Sequence, residues 1–100
     1  MSYTFEDLWN DAETTMAPET QQCSLQEIIK ELEAKLSIFN TVSQNTSMKE
    51  EDRLALKARV FGKIMIVLTK LTLKDNINVY SVLQTALKEV QLSIQENQFR

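Results

Sequence analysis

Apolar residues recur at helical spacing along most of the chain. An α-helix turns about 100° per residue, so positions three and four apart share a face. The longest such stretch runs from Glu51 to Thr72. Leu56, Val60, Ile64, Val67 and Leu71 form one stripe there. Leu54, Phe61, Met65 and Leu68 form a second beside it, and Arg59, Lys63 and Lys70 occupy the narrow remaining arc. An apolar arc this wide exceeds what one neighbouring helix covers, which predicts a central helix with partners on two sides. The run from Ile64 to Leu68 is too short to cross a bilayer, which takes about 20 apolar residues.

The other segments read as amphipathic helices around it. Thr4 and Asp7 resemble a capping box, and Phe5, Leu8, Trp9, Ala12 and Met16 then follow at helical spacing, predicting a short acidic helix over about 4–16. Pro18 disfavours α geometry at Ala17, so residues 18–23 read as a linker. Ser24 and Glu27 form a second capping box. Leu25, Ile29, Leu32, Leu36 and Phe39 then alternate four and three apart, a spacing shared by coiled-coil seams and bundle helices. The polar connection Ser43–Met48 leads to Ser47 and Glu50, which match a third box opening the central helix. A break near Lys74, Asp75 and Asn76 precedes the last helix, with Asn76 or Asn78 as its cap. That helix carries Tyr80, Leu83, Leu87, Val90 and Ile94 on one side and Leu92 on the other, and residues 97–100 are expected to fray.

The expected fold is all-α: a small antiparallel three-helix bundle, with helices at about 24–42, 49–72 and 78–96, preceded by a short N-terminal amphipathic helix. The expected division is a helical segment over 1–17, a linker over 18–23 and a bundle domain over 24–100. Composition agrees. A single Gly and a single Pro leave little material for hairpin turns, and 43% hydrophobic residues is too many for a disordered tail.

Charge changes the picture in one respect. The net charge is -3, but residues 1–50 hold nine acids and three bases, and residues 51–100 hold five acids and eight bases. Halves of opposite sign favour an intramolecular hairpin or a head-to-tail dimer. The stripe of Arg59, Lys63 and Lys70 reads first as a solvated helix face. Its functional alternative is a basic patch for a phosphate backbone or an acidic protein surface, including the chain's own first half.

The chemistry of catalysis is thinly represented. The chain has no His, which removes histidine bases and His-containing zinc sites, and its only Gly excludes a phosphate-cradling loop. Cys23 is alone, so it forms no internal disulfide, and neither a signal segment nor a membrane span is evident. Cytoplasm is the expected setting, or a host cytosol for a viral or non-classically secreted protein. No cofactor, metal or small-molecule substrate is implied, and the chain is expected not to be an enzyme.

These features point to a protein–protein interaction module: an adaptor, co-chaperone or small regulatory protein working through apolar helical surfaces, as a homodimer or in a small hetero-complex. Candidate contact residues are Phe5, Leu8, Trp9 and Met16 on the first segment, and Phe61, Met65 and Ile66 on the central helix. Two alternatives stand beside this: a nucleic-acid-associated regulator using Arg59, Lys63 and Lys70, and a small structural subunit of a bacterial or viral assembly.

Overall fold

The chain folds into four helices in the computed structural model, which describes residues 2–98: α1 (Phe5–Gln21), α2 (Leu25–Ser43), α3 (Glu50–Lys74) and α4 (Val79–Gln98). No strand occurs among the described residues. Two of the three predicted capping boxes form. Asp7 N–H donates to Thr4 Oγ1 at 3.1 Å and Thr4 N–H donates to Asp7 Oδ2 at 2.9 Å, so Asp serves where Glu is usual. Ser24 and Glu27 do the same for α2. The third box does not form. Lys49 is the N-cap of α3 and makes no side-chain capping bond, while Ser47 is drawn back into the loop by Asn45, whose Oδ1 accepts from its N–H and its hydroxyl. The acidic first turn of α3, Glu50 to Asp52, still suits the positive end of the helix dipole.

α1 runs through Pro18 to Gln21, so most of the expected linker over 18–23 is helical and the connection shrinks to residues 22–24. Pro18 removes one amide donor near the end of the helix. Tertiary contacts hold the turn that follows: Thr20 is buried, and Glu19 is paired to α3. Propensity is overridden here by packing.

α3 is central, as its wide apolar arc predicts, and packs against both α1 and α2. Val60, Ile64 and Val67 of its first stripe are buried, Leu56 and Leu71 half-buried. On α2, which packs against this helix, Ile28 and Val42 are buried, with Ile28 fully sealed. Trp9 supplies the buried aromatic on the α1 side.

The last helix departs from expectation. α3 closes with Asn76 in the left-handed region (φ 52°) and Ile77 N–H donating to Thr72 O at 2.9 Å, a Schellman-type stop. Asn78 caps α4 by accepting from Ser81 N–H. Val79 and Tyr80 are half-buried, and Tyr80 Oη donates to Phe5 O at 3.4 Å. From Ser81 through Asn97 every residue is exposed. The packed unit is therefore α1, α2 and α3, and α4 projects from it as an amphipathic arm, not as the third member of the expected bundle. The radius of gyration, 17.0 Å, exceeds the ~13 Å of a compact chain of this length accordingly. Of the residues expected to fray, Asn97 and Gln98 are helical, and residues 99 and 100 lie outside the described residues.

Burial predicts where stability resides. Ile28→Ala removes a sealed side chain and is expected to cost about 2–5 kcal/mol. Leu87→Ala, on the exposed arm, is expected to change the stability of the dilute monomer by less than about 0.5 kcal/mol. Urea unfolding monitored by helical circular dichroism measures both.

Candidate functional site

The sequence candidates divide into three groups. Five of them come together in an apolar groove of ≈ 190 Å³ between α1 and α3. Phe5, Leu8 and Trp9 line it from α1, and Met65 and Ile66 from α3. Phe5 and Leu8 are more than half exposed, and Ile66 is 39% exposed. Gly62 lines the groove as well, and a Cβ built there would meet nothing within 4 Å. The space beside Gly62 is thus open at the Cβ position.

Trp9 differs from the others in this group. It is 7% exposed and packs with Phe5 at a ring-centroid distance of 6.2 Å, so it belongs to the floor that shapes the groove and not to a surface contact. Its indole Nε1 is buried without a hydrogen-bond partner. Phe61 and Met16 stand apart. Phe61 lies on the opposite flank of α3, 6.4 Å from the Phe39 ring of α2, whose face is also covered by Lys57 Nζ at 5.2 Å. Met16 is half-buried and does not line the groove.

The basic stripe does not survive as a unit. Arg59 and Lys63 are exposed, but Lys70 is 2% exposed, with its Nζ 3.0 Å from Glu19 Oε1 of α1 and 2.9 Å from Glu31 Oε2 of α2. All three cations fall on one arc at ideal helical spacing. The end of α1 crosses that arc at Lys70 and leaves the residues two and three turns earlier in water. Burial pulls the Lys70 ammonium toward the neutral form. The hydrogen bonds and charges of Glu31 and Glu19 outweigh this and hold its pKa above the ordinary lysine value. Two acids from the first half of the chain thereby meet one base of the second, in keeping with the opposite signs of the halves.

The α1–α3 seam carries further polar groups that periodicity did not reveal. Thr20, Thr69 and Thr72 are buried. Each hydroxyl is satisfied by a carbonyl of its own helix: Met16 O at 2.7 Å, Ile66 O at 2.6 Å and Thr69 O at 2.8 Å. Back-bonding of this kind lets threonine pass for an apolar side chain in a tight seam. Beyond α1, a polar pocket of ≈ 310 Å³ opens between Glu6, Asn10 and Glu13 on one side and Asn76, Asn78 and Tyr80 on the other. Partial desolvation and the negative charges of Glu6, Glu13 and Asp7 raise the pKa of the Tyr80 phenol above its ordinary value.

The largest uncovered surface is α4. Leu83, Leu87, Val90 and Ile94 are all more than half exposed along one face, with Val82 at its edge. The sequence showed this stripe plainly but assigned it to the core. Among the described residues no group of three potential ligands is placed to hold a metal, and no helix is long and apolar enough to cross a membrane. No family model, curated protein or solved structure matches the chain.

Two outcomes follow. Lys70→Ala removes a buried stem and unpairs two carboxylates, and is expected to cost about 2–4 kcal/mol, less than a fully sealed pair because Glu19 remains wetted. The raised Lys70 pKa means that the folded state holds this proton more tightly than the unfolded chain. The pair's stabilisation is therefore complete below pH 10.5, the ordinary lysine value, and is lost as pH rises through the raised folded value. Urea midpoints of the wild type and Lys70→Ala across that alkaline range should converge. Gly62→Ala relieves a helix-interior glycine in open space and is expected to raise stability by about 0.4–1 kcal/mol in the same assay.

Proposed function

We propose that the chain is a non-enzymatic protein–protein interaction module of the adaptor, co-chaperone or small-regulator kind, acting through apolar helical surfaces. The observation that carries this reading is α4. A helix of 20 residues holds an apolar stripe on one face and charges on the other, yet nothing covers the stripe. An amphipathic helix in a protein gains most of its stability from packing its apolar face and less from helix propensity. Covering by another polypeptide accounts for both the pattern and its exposure. The groove between α1 and α3 offers a second apolar surface, and two such surfaces suit helix-in-groove recognition.

The reading of the chain as a structural subunit rests on the same uncovered face. The nucleic-acid reading is weaker, because Lys70 is already neutralised by two carboxylates and only Arg59 and Lys63 of its three cations remain free in solvent.

Site-specific photo-crosslinking in cells tests the proposal. A photoreactive residue at position 87, on the apolar face, is expected to yield covalent protein adducts, and one at position 85, on the polar face, is not. Leu87→Glu should leave the urea midpoint of the dilute protein unchanged. Absence of adducts at position 87, or unfolding by Leu87→Glu, would remove the basis for an interaction role.

A further inference from the structure

We infer that the polypeptide covering α4 is a second copy of this chain: the α4 stripe of each protomer seats in the α1–α3 groove of the other, giving a reciprocal twofold dimer. The inference rests on the interaction reading above and names its partner. Three features carry it.

The first is shape. The apolar positions of α4, from Val82 through Ala86 and Val90 to Leu87, span an arc of about 140° at helical geometry. A two-helix seam uses a narrower stripe than this, whereas an arc of this width suits a trough between two helices. The groove is such a trough. In its α3 wall the missing side chain of Gly62 leaves room for a close approach.

The second is topology. The groove-lining residues Phe5, Leu8 and Ala12 lie on one flank of α1. Val79 and Tyr80, where α4 begins, lie on the other, beside Glu6, Asn10 and Glu13. Only residues 75–78 join α3 to α4, and Tyr80 Oη is already bonded to Phe5 O. α1 thus stands between α4 and the groove of its own chain. The α4 of another copy meets no such barrier.

The third is charge. Glu89 and Glu96 flank one edge of the α4 stripe, within about 40° of Val82 on the helical wheel. Arg59 and Lys63 flank the groove beyond Ile66. All four are exposed, and among the described residues none of them is in an ion pair. Seating the stripe with its acidic edge toward α3 brings these opposite charges together and fixes the direction in which α4 lies. Stable interfaces bury about 1,200–2,000 Å² in total, and the reciprocal arrangement supplies two copies of the site toward that area.

Light scattering after size exclusion of the full chain, over a concentration series, tests the inference. The expected mass at high concentration is twice the 11.5 kDa of the chain. Leu87→Glu on the arm and Gly62→Leu in the groove should each weaken dimerisation at least tenfold. Leu87 is exposed and a Cβ at position 62 meets no atom of the chain, and unchanged helical circular dichroism verifies the folding of both variants. Arg59→Glu with Lys63→Glu should weaken dimerisation similarly, and adding Glu89→Lys with Glu96→Lys should restore it. A monomer at every concentration overturns the second copy as occupant and leaves the broader interaction role to the crosslinking result. A dimer lost with Leu87→Glu but indifferent to Gly62→Leu and to charge reversal also overturns the inference, since two arms then pair directly.

Discussion

Lys70 is the point where the three packed helices are tied together. Its ammonium leaves α3 and reaches one carboxylate from α1 and another from α2. A buried ammonium without partners would be strongly unfavourable, so the position of each acid is constrained by the need to satisfy it. Glu31 fixes how α2 lies along α3. Glu19 pins the last turn of α1, and with it the portion of that helix beyond Pro18. Through α1 the constraint reaches the groove, because the course of α1 over α3 decides which apolar residues are sealed and which remain open. Apolar burial by Ile28, Val67 and Trp9 supplies the driving force. The charged junction selects one arrangement among those that burial alone would allow.

Much of the fold was legible because its signals are local. Four helices follow from periodicity, and two capping boxes mark their starts to the residue. The double stripe of α3 announced a helix with neighbours on both sides. What the sequence could not convey depends on how helices cross. Pro18 reads as a break, but a turn held at Thr20 and Glu19 withstands the loss of one amide bond. Lys70 shares an arc with Arg59 and Lys63, and only the path of α1 separates a sealed cation from two wetted ones. Ser47 matches a cap in composition, yet Asn45 competes for it within the loop.

The candidate site was legible in part for the same reason. Phe5, Leu8, Met65 and Ile66 were chosen as apolar residues on segments of uncertain cover, and crossing helices bring them to one groove. Trp9 was chosen with them but forms the floor. Phe61 lies on the other flank of α3, since it belongs to the arc that faces Phe39 and α2. The strongest surface, the stripe of α4, was seen and assigned inward, because an amphipathic pattern records that a face is to be covered without recording by which chain.

The exposure of that stripe also bears on how long the protein persists in a cell. A projecting helix with a continuous apolar face resembles the transiently exposed segments that chaperones and proteases survey. While it is covered, the chain offers them only the packed unit and a polar helix face. While it is bare, the chain is marked for triage although α1, α2 and α3 are fully folded. Exposure to such surveillance would thus depend on whether α4 is covered, without any change in the stability of the core.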